Sequence, residues 1–462
     1  MFFDQLNDII FTEDTPLSVI LEGMNKTARF TENKGFCIIV NAEGQATGVI
    51  SDGDIRHHLA KDNDLSVVAG QLAIRDFVFA WEDDDETVIL RLFEDKILTV
   101  PVISRTRKPV DLICYSKFNQ RFKLNRNIIR ARVPARMSYS GGGLDMTEIF
   151  NKTVTNVLSS TINRFCTTSL LVRNDDAIHI VSKNLDATYS ASNVDAIEYG
   201  YDRDLVKAAI KLIKPQVGMD IEIYSDIEHG TGLGGSSAVV ASVIGAINMM
   251  DLDLQMNPYE MANLAYQIER IELKNKGGWQ DQFSTVFGGF NMIEFMPDTI
   301  TVNPLRIQRE TMLELEYNLL LFRVGENRSS SSVHEKNGNL KSSKSDFDRF
   351  TRQMNENTIG MKNALLRGRV KQFGDMLHNA WKLKNQINAH VSNTLIDECY
   401  DKARQIGALG GKLLGAGRSG YLLIHASPLY HLEIIQTLSE LGARHEQFSF
   451  TEQGLEAWKV QK

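Results

Sequence analysis

The chain is predicted to fold as α+β in two or three domains, and three observations carry that prediction. At 462 residues it is longer than one hydrophobic core usually serves. Short apolar strands alternate with helical segments over its first quarter, in two unequal copies. Further on, a strand near residue 220 runs into a glycine-rich loop and a small-residue helix, HGTGLGGSSAVVAS (His229–Ser242). An apolar fraction of 43% with 24% charged residues excludes a mainly disordered chain.

Charge and cysteine usage narrow the partners. A formal net charge of −7 argues against nucleic acid. Cys37, Cys114, Cys166 and Cys399 are widely spaced without CxxC, so they read as reduced, buried thiols, with no disulfide framework or zinc site. The opening MFFDQLNDIIFTED lacks the basic region of a signal peptide, and no apolar run reaches the ~20 residues of a membrane span. A cytoplasmic protein without a membrane partner is expected.

The first domain is placed at residues 1–120. There GFCIIVN (Gly35–Asn41) and TGVIS (Thr47–Ser51) flank the turn AEGQA as a hairpin, and DGDIRHHLAK follows as a helix with Asp52 placed to cap it. ILTVPVIS (Ile97–Ser104) and PVDLICYS (Pro109–Ser116) make the weaker second copy, so two similar modules should pack together. GVISDGDIR (Gly48–Arg56) resembles the tandem CBS (cystathionine-β-synthase) domain pair. That resemblance puts Ser51 and Asp54 on the ribose of a regulatory adenine nucleotide. VDLICYSKF lacks a matching Ser/Thr–Asp pair, so at most one such site is implied. The alternative is a packing or dimerising module, through which the chain would form a homo-oligomer. EDDDE (Glu82–Glu86) reads as a solvated loop, and the polar, basic stretch around residues 121–127 as a linker.

From residue 128 the elements are mixed. A strand, IIRARVPARMSYS, opens the segment, and MDIEIYSDI (Met219–Ile227) leads into the glycine loop. NPYEMANLAYQIERIELK (Asn257–Lys274) reads as a helix, with Asn257 as N-cap, Pro258 in the first turn and Glu260 closing a capping box. Met261, Leu264, Ala265 and Ile268 form its core stripe. The serine-rich Asn327–Ser345 is either a surface loop or a mobile lid.

The glycine loop carries the chemistry. Glycines permit positive φ and close backbone approach, and a helix start offers unpaired N–H groups and the positive dipole end; together they cradle an anion such as phosphate. Gly230, Gly232 and Gly235 match G-x-G-x-x-G, but a dinucleotide site also needs a second strand ending in an acid ~20 residues on. Asp251 and Asp253 lie at that distance, yet AVVASVIGAINMM between them and the loop is helical, so no strand carries the acid. A P-loop is excluded because no Lys-Ser/Thr pair follows the last glycine.

GLGGSSA (Gly232–Ala238) resembles the central motif of the GHMP kinases, named for galactokinase, homoserine, mevalonate and phosphomevalonate kinases. Three more stretches fall in that family's order: RVPARMSYSGGGLDM (Arg132–Met146), GGWQDQFSTVFGGFNMIEF (Gly277–Phe295) and GGKLLGAGRSGYLLIHA (Gly410–Ala426). The resemblance implies a two-lobed kinase, with a ribosomal S5-like lobe at 128–305 and a ferredoxin-like lobe at 306–462. GGGxD, QDQ with FGGFNMIEF, VGENRSSSSV and LHNAWKLKNQINAHVSN are most similar to the heptose 7-phosphate kinase branch. That branch transfers the γ-phosphate of ATP to an anomeric hydroxyl, on the path to nucleotide-activated heptose.

Residue roles are implied in the same way. Gly230, Gly232, Leu233, Gly234, Gly235, Ser236 and Ser237 would hold ATP, with Ser236 capping the helix. Ser237 and Glu269 would hold Mg2+, which accepts a single carboxylate beside phosphate oxygens and water. Asp281 would orient or deprotonate the attacking hydroxyl, and Arg136 would hold Asp281 ionised or neutralise the phosphoryl group. Asp145, with Gly142 and Gly143, would bind the sugar, and Arg328 with Ser329 would clamp a substrate phosphate. His229 stands where many members have proline, and Arg418 and Ser419 replace two glycines of the third motif. The alternatives are a fucokinase-like 1-kinase of an unphosphorylated sugar, and a nucleotide-sensing regulatory protein with a weakened kinase fold.

Overall fold

A computed structural model describes residues 6–27, 35–62, 64–93, 97–115, 118, 127–184, 187–200, 204–228, 230–250, 254–325, 344–387, 391–415 and 417–461. The expectations for His229, Asp251, Asp253, Arg328, Ser329, most of the linker and nearly all of the serine-rich segment lie outside the described residues. The chain divides into two compact units, Met1–Asn127 and Ile128–Lys462.

The first unit is a structural repeat. Strands β1 (Ile10–Thr12), β2 (Phe36–Val40) and β3 (Ala46–Ser51) form one sheet, with β1 parallel and β3 antiparallel to β2. Strands β4 (Ala80–Trp81), β5 (Thr99–Ile103) and β6 (Pro109–Cys114) repeat that pairing pattern in a second sheet. The central strands β2 and β5 are buried along their whole length, which is why their sequences are apolar runs without alternation. Ile9, Ile38 and Val40 share a core with Ile103 and Leu112, so the two modules close on each other.

One local expectation is corrected there. The helix Asp52–Lys61 is capped by Ser51, and Asp52 is its first residue, ion-paired to Arg56 at 2.7 Å. Ser51 ends an extended strand, the geometry an N-cap needs, and both its backbone N (2.8 Å) and its Oγ (2.6 Å) donate to Asp54 Oδ2.

The second unit opens with a nine-stranded sheet. It contains β7 (Asn127–Ser140), β8 (Thr155–Val172), β9 (Ile178–Ser182), β10 (Ala187–Ala191), β11 (Met219–Ser225), β12 (Asn291–Met296) and β13 (Thr299–Pro304). The long β8 organises it: Thr155–Ser159 pair with β12, Cys166–Val172 with β11, and β7 runs antiparallel alongside. The helix Gly235–Met250 packs on β8 and is buried nearly all round, as its unbroken run of small and apolar residues requires. Its Ser242 stays satisfied by donating to Val239 O, with Thr168 Oγ1 at 2.7 Å.

A second layer follows. β14 (Leu319–Val324), β15 (Gly410–Leu413), β16 (Gly420–His425) and β17 (Arg444–Glu446) form an antiparallel sheet in the order β15-β16-β14-β17. Helices Lys344–Leu366, Val370–Ile387 and Thr394–Ile406 fall between its first two strands, and His431–Glu440 before its last. That is the strand order and element string of a β-α-β-β-α-β sandwich, with a core around Phe322, Trp381, Tyr400, Ile424 and Leu438. The chain then recrosses the boundary expected at residue 305. β18 (Phe450–Thr451) pairs with β8, and β19 (Glu456–Gln461) with β7, so the last strands belong to the first sheet. Gly245 makes room for that return, since a Cβ there would lie 2.7 Å from Leu455 Cδ2.

Candidate active site

The glycine loop is held open by three positive φ angles, 74° at Gly230, 82° at Gly232 and 76° at Gly234. Close approach constrains it further: a Cβ on Gly232 would lie 2.5 Å from Leu414 O, and one on Gly234 3.1 Å from Arg136 Cγ. Leu233 anchors the loop with a buried side chain and a carbonyl that accepts from Arg136 N at 3.0 Å. The helix begins at Gly235, so Ser236 lies within its first turn and does not cap it, contrary to expectation. The first N–H groups of that helix lack intrahelical acceptors and are available to an anion.

Arg136 joins the loop to Asp281. Its guanidinium is 3% exposed, donates to Gly232 O at 2.5 Å, and meets Asp281 Oδ1 through Nε at 2.8 Å and through the terminal nitrogen at 2.7 Å. Asp281 lies in the first turn of the helix Gln280–Phe287, where a carboxylate is favoured by the dipole. It keeps one-fifth of its side chain exposed, enough to face a substrate.

Glu269 and Ser237 form a second buried pair. Ser237 Oγ donates to Glu269 Oε2 at 2.7 Å, and Gln282 Nε2 also donates to that oxygen. Glu269 is fully buried, with Arg270 at 3.6 Å, yet its Oε1 has no partner. A buried carboxylate oxygen facing nothing is costly, and a hydroxyl beside it completes a hard-oxygen donor set. The two residues therefore fit a magnesium ion whose other ligands are phosphate oxygens and water. Among the described residues no group of three or more His, Cys, Asp or Glu could hold a metal by itself. The helix expected over Asn257–Lys274 is α-helical only for Pro258–Tyr266, and becomes a π-helical turn at Gln267–Glu272 around Glu269. Its start is as expected: Asn257 Oδ1 accepts from Tyr259 N and Glu260 N, and Glu260 accepts from Asn257 N.

Asp145 is 1% exposed and clamps two segments. It accepts from Gly143 N at 2.9 Å and from Gln280 N at 3.0 Å, tying the triple glycine to the helix that carries Asp281. Burial pushes its carboxyl above the ordinary range, the Gln280 N–H opposes that, and the nearby Asp281 charge adds to it. A Cβ on Gly142 would lie 3.2 Å from Ser138 Oγ and 3.5 Å from Gln280 Oε1, two buried atoms without a partner. Polar atoms of that kind suit sugar hydroxyls, and sequence reasoning did not single them out. Nor did it find Gln282, the buried Lys412 or the half-buried Lys384, whose positions become visible only after folding. Arg418, in place of a glycine, takes φ 69°; its backbone N donates to Val391 O and its carbonyl accepts from Asn393 Nδ2.

Residues 204–289 match the GHMP kinases N terminal domain family, and residues 361–431 the GHMP kinases C terminal family. The D-glycero-alpha-D-manno-heptose 7-phosphate kinase of Campylobacter jejuni is 32% identical over 339 residues, covering 72% of this chain and 99% of that protein. The L-fucokinase/L-fucose-1-P guanylyltransferase of Bacteroides fragilis is 23% identical over 354 residues, 68% of this chain and 36% of that protein. Among solved structures, a D-glycero-D-manno-heptose 1-phosphate kinase from Bacteroides thetaiotaomicron superposes with a TM-score of 0.60 at 27% identity, over 72% of this chain and 100% of that one.

Replacing Glu269 by Gln keeps its shape and removes the charge. Calorimetry should then show magnesium-ATP binding weakened by about tenfold or more, with metal-free ATP unaffected. Equal magnesium-ATP affinity in the variant would remove Glu269 from the metal site.

Proposed function

The chain belongs to the GHMP kinase family and is an ATP-dependent sugar kinase, and from that premise we propose that it phosphorylates the anomeric hydroxyl of a heptose 7-phosphate, giving a 1,7-bisphosphate. The observation that carries the chemistry is the Arg136 guanidinium bonded at once to Gly232 O and to Asp281. The substrate rests on the 32% identity to the heptose 7-phosphate kinase, which extends over nearly all of that protein.

Phosphoryl transfer needs positioning and charge neutralisation more than covalent help. The loop Gly230–Ser237 and the start of its helix hold the triphosphate through backbone N–H groups. Ser237 and Glu269 would hold magnesium, which would screen the phosphate oxygens. Asp281 accepts a hydrogen bond from the anomeric hydroxyl and aims its oxygen at the γ-phosphorus. A carboxylate is a far weaker base than the alkoxide of a sugar hydroxyl. It therefore orients first and takes the proton late, as charge moves onto the bridging oxygen of the leaving ADP. Arg136 pairs with Asp281 and offers its charge to the phosphoryl oxygens. The unpartnered Ser138 Oγ and Gln280 Oε1 beside Gly142 offer hydrogen bonds to sugar hydroxyls, and Asp145 fixes the segment that carries them.

A second substrate reading, an unphosphorylated sugar, is favoured by the similarity to the fucokinase. Phosphorus NMR of products from ATP with heptose 7-phosphate, heptose and fucose separates the two. We expect a new anomeric phosphate with the phosphorylated heptose and little with the neutral sugars. Preferential use of fucose would overturn the assignment.

The unit Met1–Asn127 acts in this proposal as a CBS pair that binds a regulatory adenine nucleotide at Ser51 and Asp54. Its support is the repeated pairing pattern of the two sheets and the bonded Ser51–Asp54 pair at a helix start. Titrating AMP, ADP and ATP into the full chain should reveal a magnesium-independent site that Asp54→Ala removes. Identical isotherms for both proteins would reduce the unit to a packing module.

A further inference from the structure

Two lysines near the site have no role in the chemistry above. Lys412, on β15, is 3% exposed, and its Nζ donates to Ser138 O at 2.7 Å. Lys384, on the helix Val370–Ile387, donates to Gly415 O at 2.6 Å. Among the described residues neither ammonium has a carboxylate within ion-pair distance, and each has a single backbone carbonyl as its acceptor. Two of the three donors on each nitrogen are therefore unused. Lys412 is buried and Lys384 half-buried, and an ammonium withdrawn from water without counter-charge sheds its proton or gains an anion.

Their placement favours the anion. Gly415 abuts the phosphate loop, since a Cβ on Gly232 would lie 3.0 Å from Gly415 Cα. Ser138 precedes the triple glycine on β7, two residues beyond Arg136, and its Oγ is one of the unpartnered atoms beside Gly142. Burial lowers the Lys384 pKa to about 8, with the Arg136 charge adding to the effect and Asp145 opposing it. Burial also lowers the Lys412 pKa well below the ordinary range, with Lys384 and Arg136 adding to the effect and Asp145 opposing it. Three cations thus lie around Asp145, and of the three Arg136 is already bonded to Asp281.

We propose that Lys384 and Lys412 form, together with Arg136, a subsite for a phosphate dianion behind the glycine loop, separate from the N-terminus of the helix Gly235–Met250. A compact ammonium with free donors recognises a phosphate as a point charge. The dianion is either the terminal phosphate of ATP or a phosphate carried by the sugar. This inference rests on the kinase reading for the origin of that phosphate.

The test compares full-length wild type with Lys384→Gln and Lys384→Arg by calorimetry, after melting curves confirm folding. The probes are inorganic phosphate, ADP, a non-hydrolysable ATP analogue, a sugar phosphate and its neutral parent sugar. Lys384→Gln should bind inorganic phosphate about tenfold or more weakly, and Lys384→Arg should recover most of that loss. Loss for the ATP analogue but not ADP identifies the terminal phosphate. Loss for the sugar phosphate but not the parent sugar identifies the substrate's own phosphate. Unchanged affinity for every probe overturns the proposal, and so does equal weakening of ADP and neutral sugar. If Lys384→Gln melts below the assay temperature, Lys384→Met carries the same comparison. Absence of turnover by the wild type would defeat the kinase reading and leave the binding comparison intact.

Discussion

The glycine loop and the helix Gln280–Phe287 are joined through one buried guanidinium. Arg136 reaches from the central part of β7 to the carbonyl of Gly232 and the carboxylate of Asp281, 96 and 145 residues away in sequence. A buried cation is tolerable only with its hydrogen bonds made and its charge matched. That requirement fixes the loop, the strand and the helix Gln280–Phe287 relative to one another. The positive φ angles of the loop glycines and the bare contacts of Gly232 with Leu414 and of Gly234 with Arg136 follow from the same close approach.

Around that link each neighbour has a defined task. Asp145 ties the triple glycine to the helix bearing Asp281 through two backbone N–H groups. The π-helical turn at Gln267–Glu272 brings Glu269 to Ser237 and Gln282 while Arg270 packs against Gly277. β15 and the turn at Gly415 approach the loop from the other layer, carrying Lys412 and leaning on Lys384. Site precision therefore comes from regular elements of two layers, and the last strands of the chain pair back into the first sheet.

Much of this was legible in the sequence where the signal was local. The glycine run, the capping box at Asn257 and Glu260, and the hairpins of the first unit each depend on neighbours a few residues apart. Asp281, Glu269, Ser237 and Arg136 came from motif order, and the structure brings them together as two bonded pairs. Two details turned on one-residue choices. Ser51 rather than Asp52 caps its helix because the hydroxyl sits at the end of the strand, and the helix after the loop starts one residue before Ser236. Ser138, Gln280, Lys384 and Lys412 were not legible, because their significance is an unmet hydrogen bond or charge created by residues far away in sequence.

The central claim is that Arg136 and Asp281 act as one unit. A double-mutant cycle on kcat/KM for sugar phosphorylation tests it directly, using Arg136→Ala, Asp281→Ala and the pair, each checked for folding by circular dichroism. Single losses on the order of 10²–10⁴ are expected, with a double variant little worse than the poorer single one. Losses that multiply, as for independent residues, would contradict it.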